Sequence, residues 1–313
     1  MQSRLQHALL SLLATILVSA VTATPLVAAT LGVLYPTTSP PYQDVFEQII
    51  QGITAEHGDT LIRYPLAAEL NQQVLFNRLQ QDQVEMVISL GRSGLNMVPE
   101  LRQHFPVVAG ALPLTPALNV SGVSLIEEPA SLFRQLQKLS PDTRRVITLF
   151  SPYNRWLIRR AMEAAQQFNL ELLPIEVNNL TEAVTRYRQV LPRLNNQTDA
   201  IWLPVDRVSV NEQALLPLLL QTCWKLKLPV FSSRPSHVKR GILFSIYPNS
   251  KASGKRMTEM VRTLHTHQQQ PGIELSNSNL VAVNLLTAEH LGYEFTPELK
   301  QSFYATVPVK RDQ

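Results

Sequence analysis

Thr30-Leu31-Gly32-Val33-Leu34-Tyr35 is the stretch whose reading decides the fold. Its apolar residues are continuous rather than alternating, the mark of a strand buried on both faces, as in a parallel sheet. Similar runs recur at Leu61–Tyr64, Glu85–Leu90 and Pro106–Gly110, then at Arg145–Phe150, Leu170–Val177, Ala200–Pro204, Leu228–Phe231 and Ile242–Tyr247. Helical patterns fill the gaps. Leu132, Phe133, Leu136 and Leu139 share one helix face. Trp156, Leu157, Met162, Ala165 and Phe168 form another, with Asn154 placed to cap it. Ser209 and Glu212 have the spacing of a capping box that opens a third helix. Strand–helix alternation of this kind predicts an α/β doubly wound parallel fold. The series restarts around residues 119–124, after Pro113 and Pro116, which predicts two such lobes.

Upstream of that strand, residues 1–29 carry Arg4, an apolar stretch from Ala8 to Ala20, and small residues ending in Val27-Ala28-Ala29. This is the layout of a cleavable secretory signal peptide, and the apolar run is shorter than the roughly 20 residues a membrane span needs. Cleavage is expected after Ala29, with Ala23 as the other candidate, and the protein is expected in the periplasm. Cys223 is the only cysteine and lies far from this junction, so no lipoprotein and no internal disulfide is expected. Its helical apolar surroundings read as those of a small buried hydrophobe.

The chain of 313 residues has 28 basic and 24 acidic side chains, a net charge of +4. The basic residues are scattered with no aromatic stripe among them, so nucleic-acid binding is not expected. None of the 7 histidines has a metal-ligand spacing with carboxylates, and no Gly-rich phosphate loop is visible. Neither a metal nor a cofactor is expected. No nucleophile–base pair can be assembled from the loops, so the chain does not read as an enzyme.

The loops after the strands carry the candidate binding residues. The first, Tyr35-Pro36-Thr37-Thr38-Ser39-Pro40-Pro41, is stiffened by proline and offers the Tyr35, Thr37 and Ser39 hydroxyls. The second, Ser89-Leu90-Gly91-Arg92-Ser93-Gly94, is the best anion candidate: helix-terminal amides and the Arg92 fork attract negative charge, and Ser89 and Ser93 add hydroxyls. Tyr153 and Asn154 follow a strand, and Tyr153 can stack on a planar ligand. Asp206 and Arg207 follow another. Asp206 either accepts from a ligand amine, or acts as a cap or pairs with Arg207. Arg234 and Tyr247 complete the set.

In this order the loops resemble the ABC-transporter substrate-binding family that includes tryptophan- and tyrosine-binding proteins, of the type I periplasmic binding fold. Val120-Ser121-Gly122-Val123-Ser124 is similar to the family's hinge strand, and Leu149-Phe150-Ser151-Pro152 to its apolar strand followed by Asn-Pro. Ala200-Ile201-Trp202-Leu203-Pro204-Val205-Asp206 resembles its strand ending in Pro-Thr-Asp. Pro229-Val230-Phe231 with Val238-Lys239-Arg240-Gly241 is the most specific match, and Leu280–Asn284 with Thr287-Ala288 resembles the closing strand and helix. The resemblance implies three crossings between lobes, with Ile242–Tyr247 leading back to the first, and a division into residues 30–122 plus 249–277 and residues 123–248 plus 278–313. It implies a monomeric periplasmic solute-binding protein that captures an amino-acid-like molecule or small anion and delivers it to a membrane permease. The alternative is a sensory or scaffold subunit that partners a membrane kinase or cyclase. Three positions depart from the family pattern. Arg92 stands in a Gly-Thr-Pro-like loop, Arg207 stands where Asn is usual, and Arg234-Pro235 replaces an acidic loop. Either the ligand is anionic, or the cleft does not take an amino acid, or these arginines point into solvent.

Overall fold

The computed structural model describes residues 29–40, 42–54, 60–67, 71–267 and 272–308; the signal-peptide reading falls outside them. Two sheets organise the chain. The first is built from β1 (Thr30–Pro36), α1 (Tyr42–Thr54), β2 (Thr60–Leu66), α2 (Gln72–Gln81), β3 (Met86–Leu90), α3 (Gly91–Leu101), β4 (Val107–Gly110) and β5 (Gly122–Glu127). The second takes up α4 (Pro129–Leu139), β6 (Arg145–Phe150), α5 (Arg155–Gln167), β7 (Glu171–Glu176), α6 (Leu180–Val190), β8 (Asp199–Leu203), α7 (Leu216–Leu226), β9 (Val230–Ser232) and β10 (Phe244–Pro248). The chain then returns through α8 (Ser250–His267) and β11 (Ile273–Ser276) to the first sheet. It ends in the second with β12 (Asn279–Asn284), α9 (Leu285–His290), α10 (Pro297–Gln301) and β13 (Ala305–Val307).

The first sheet has the order β11-β5-β4-β3-β1-β2 and is parallel throughout. The second has the order β13-β12-β10-β9-β8-β6-β7, with β12 antiparallel to β10. Alternation along β1 shows why its apolar run is continuous. Leu31 and Val33 join a cluster with Ile49, Ile50 and Met257 of α1 and α8, while Leu34 joins Leu75, Leu79 and Met97 of α2 and α3 on the opposite face. Burying each such side chain contributes roughly 1.5–3 kcal/mol. The second sheet is likewise covered on both sides, by α4 and α5 around Trp202 and by α6 and α7 around Ile201.

The expected helix face Leu132, Phe133, Leu136 and Leu139 is buried in α4, whereas Met162 on α5 is exposed and Ile158 and Ala161 take the inner face instead. No helix opens at Ser209: α7 begins at Leu216, and Asn211, not Ser209, accepts from the Gln213 and Ala214 amides. Cys223 is buried, and burial pushes its thiol up to about 12, well above reactive values. Gly241 takes the left-handed turn expected of it, with φ +112° at the end of the Pro235–Arg240 turn.

The course of the chain at two of the crossings differs from the sequence reading. β5 stays in the first sheet, so the chain leaves that sheet after Glu127 rather than after Gly122. β10 stays in the second sheet, and the chain returns after Pro248 rather than along Ile242–Tyr247. Two backbone bonds stitch the crossings together: Glu128 N–H donates to Ser276 O at 2.9 Å, and Asn249 N–H to Ser278 O at 2.9 Å.

Candidate functional site

Each sheet has one point where the chain's direction of winding reverses. β1 lies between β2 and β3, and β6 lies between β7 and β8. In open parallel sheets ligands bind outside the carboxyl ends of the strands at such points. β5 and β10 both end at the carboxyl edges of their sheets, and they touch. The carboxyl ends of β5 and β10 therefore meet where the chain passes between the sheets, and the loops singled out above follow strands at those carboxyl edges.

On the first lobe, Gly91 (φ +70°) makes a turn that only glycine adopts without strain. A Cβ there would come within 3.1 Å of Pro36 and 3.2 Å of Phe46, so the β1 and β3 loops are packed on each other. Helix α3 starts at once, with no side-chain cap and no acidic residue in its first turn. Arg92 and Ser93 stand exposed on that turn, and Arg92 has no ion pair among the described residues. Ser89 is 0% exposed, its hydroxyl has no hydrogen-bond partner, and that hydroxyl sits 2.7 Å from where a Gly94 side chain would begin. Tyr35 is half-buried against the α1–α8 cluster. Thr37 and Ser39 are exposed; the Thr37 amide donates to Leu66 O at 3.2 Å.

The second lobe is organised by Asp206, 4% exposed. Its Oδ2 accepts from the Ser151 amide and hydroxyl at 2.7 Å each and from Asn154 Nδ2 at 2.8 Å. Its Oδ1 accepts from the Val208 and Ser209 amides at 2.9 Å each. These five donors fill the roughly four lone-pair directions of a carboxylate. Of the alternatives read from the sequence, the structure takes the cap: Asp206 ties the β6–α5 loop to the β8–α7 loop. Burial works to raise its pKa, but the bonds from Ser209, Ser151 and Asn154 outweigh burial and hold it below the ordinary value. Asn154 stands at the N-cap position of α5, yet its side chain makes no cap bond and serves Asp206 and Val205 O instead. Tyr153 is 70% exposed and Arg207 is exposed without an ion pair among the described residues. Arg234 donates to Glu212 at 2.6 Å and is thereby drawn away from a ligand role. Glu212 also faces His237 and Arg240, which explains why it forms no capping box. Tyr247 packs edge-on against Tyr304, and burial pushes its hydroxyl up to about 12.

Sequence reasoning missed Glu127. It ends β5 beside Ser276 at the crossing and is 4% exposed. Burial raises its pKa to about 8, so it is neutral at pH 7. No motif announces it; only the sheet's course places it there. The unfolded chain releases this proton near pH 4.5 and the folded chain near 8, so folding stability falls as pH rises between the two. The variant E127Q is expected to abolish that slope and to gain on the order of 1–3 kcal/mol at pH 7 in denaturant titrations.

One hydroxyl–imidazole–carboxylate line exists: Ser232 Oγ lies 2.8 Å from His237 Nδ1, and His237 Nε2 lies 3.4 Å from Glu212. Ser232 is wholly buried and its Oγ also accepts from the Arg234 amide, so it is not presented as a nucleophile. Among the described residues no cluster of His, Cys, Asp or Glu could hold a metal ion, and no helix is long and apolar enough to cross a membrane.

The sequence profile of the ABC transporter substrate binding protein family matches residues 75–301, and the chain belongs to that family. Solved structures share the fold. The ABC domain in complex with L-Trp from Streptococcus pneumonia is 17% identical, with 89% of this chain and 99% of that one covered and a TM-score of 0.52. The ligand-free, open structure of CD0873, a substrate binding protein with adhesive properties from Clostridium difficile, is 13% identical over the same shares, with a TM-score of 0.64. A chain of a mutant XylFII-LytSN complex is 13% identical, with 81% of this chain and 97% of that one covered and a TM-score of 0.54. No curated protein sequence matches the chain.

Proposed function

We propose that this protein is a periplasmic solute-binding protein that captures a small molecule between its two lobes and presents the closed form to a membrane permease. The observation that carries the reading is the contact of β5 with β10 where three chain crossings join the sheets, which supports a cleft between the two switch points. Such crossings can bend without unfolding either lobe, and a ligand that touches both walls only when they approach shifts the population toward closure. Family membership supports a binding role. The test is thermal unfolding of the purified protein against amino acids, small carboxylates, phosphates and nucleosides. A true ligand at about 100 times its Kd stabilises the fold by roughly 2.7 kcal/mol, and silence across every class counts against the reading.

A second reading, a sensory subunit on a membrane kinase or cyclase, draws support from the likeness to a chain of the XylFII-LytSN complex. Co-purification from membranes separates the two, since a permease and its ATPase mark transport whereas a sensor protein marks signalling.

A further inference from the structure

We propose that the interlobe ligand is a small dianion without an amine, one acid group held at Arg92 on the first lobe and the other at Arg207 on the second. This deepens the solute-binding reading above and rests on it.

Charge is unevenly distributed around the two switch points. In the four loops there, and in the first turns of the helices that follow, the described carboxylates are Asp44, Asp206 and Glu212. Asp206 is filled by five donors. Glu212 is held by Arg234, His237 and Arg240. Glu127, at the crossing between the walls, is 4% exposed and closed to an incoming group. An incoming ammonium group therefore finds only Asp44 on α1. The cations show the opposite pattern. Arg155 is satisfied by Glu176 and Arg234 by Glu212, yet Arg92 and Arg207 have no ion pair among the described residues. Among the described residues of these loops, an unpaired guanidinium stands on each wall.

The first wall carries a second, independent sign of an acceptor ligand. Helix α3 presents its uncapped amino end beside Arg92, and the buried Ser89 hydroxyl, lacking any partner, lies against the same first turn. Amide donors, a hydroxyl and a guanidinium together suit a carboxylate or phosphate oxygen. On the second wall Arg207 leaves the chain immediately after Asp206, whose bonds fix the loop that carries it. Two separated acid groups satisfy both walls and draw them together, whereas a monoanion satisfies only one.

Calorimetry on the purified protein tests this with succinate and 2-oxoglutarate as dianions, phosphoglycolate as a two-acid probe with a phosphate at one end, butyrate as the monoanion, and L-tryptophan and L-leucine as zwitterions. The expected result is that at least one dianion binds at least tenfold more tightly than butyrate. R92Q and R207Q should each weaken it tenfold or more while their thermal unfolding without ligand stays unchanged. A carboxylate-only or phosphate-only response identifies which acid group the walls prefer and supports the proposal. Dianion binding indifferent to both substitutions overturns it. Binding of the zwitterions, lost in D44N but kept in R92Q and R207Q, also overturns it and leaves the solute-binding reading standing. If no dianion binds, the proposal falls. If the zwitterions are silent too and no compound class raises the melting temperature in the thermal-unfolding test above, the solute-binding reading falls with it.

Discussion

Replacing Asp206 with asparagine is expected to destabilise the protein by about 3–5 kcal/mol, the scale of breaking a buried charged network on one side. The reason lies in the distribution of donors. Oδ1 takes two backbone amides, and Oδ2 takes the Ser151 amide, its hydroxyl and the Asn154 amide group. Whichever way the asparagine side chain turns, its NH2 group meets donors, and backbone N–H groups lose their acceptor. The pH dependence follows from the lowered pKa. The unfolded carboxyl titrates near 3.8 and the folded one below it, so the stabilisation is fully present above the unfolded value and is lost as pH falls through the folded one. Acid titration of the wild type should show that loss and D206N should not. A D206N variant as stable as the wild type would show that the network contributes little.

The second large effect lies where the returning helix docks. Gly52 on α1 and Gly254 on α8 face each other's backbone: a Cβ at Gly52 would come 1.9 Å from Lys251 O, and one at Gly254 would come 2.0 Å from Ile49 O. No rotamer relieves a clash with a carbonyl. Gly254→Val should therefore force α8 off α1 and cost about 3 kcal/mol or more, at the upper end of overpacking. Because α8 belongs to the first lobe yet follows a crossing from the second, the damage should also alter how the lobes are held. A lowered denaturant midpoint measures the first effect. Unchanged stability in Gly254→Val would mean that the two helices can separate freely at this point.

Much of the architecture was legible because parallel strands buried on both faces leave unbroken apolar runs. Thr30–Tyr35 and Arg145–Phe150 fall on β1 and β6 for that reason. β5 was harder. Its run follows directly on Pro113 and Pro116 and resembles a hinge strand between lobes, although it pairs in the first sheet, with Val123 in the α1–α8 cluster and Ile126 in the cluster around Trp202. At the site, residue positions were readable and roles were not. Asp206 stands where a strand end should present a polar group, but its donors at Ser151 and Asn154 come from more than fifty positions earlier, a distance no local pattern spans. Ser209 and Glu212 have capping spacing, yet Arg234, His237 and Arg240, brought in by a distant turn, claim Glu212 first. Glu127 carried no signal at all, because its burial is set by which sheet β5 joins.

A small molecule clasped between two lobes that move should make the protein more compact. Small-angle X-ray scattering of the protein, alone and saturated with whichever compound most raises its melting temperature, tests it most directly. The account predicts a smaller radius of gyration and a narrower distance distribution with ligand, as the carboxyl edges close on it. An identical scattering profile at saturation, with binding established by calorimetry, would contradict closure between the lobes.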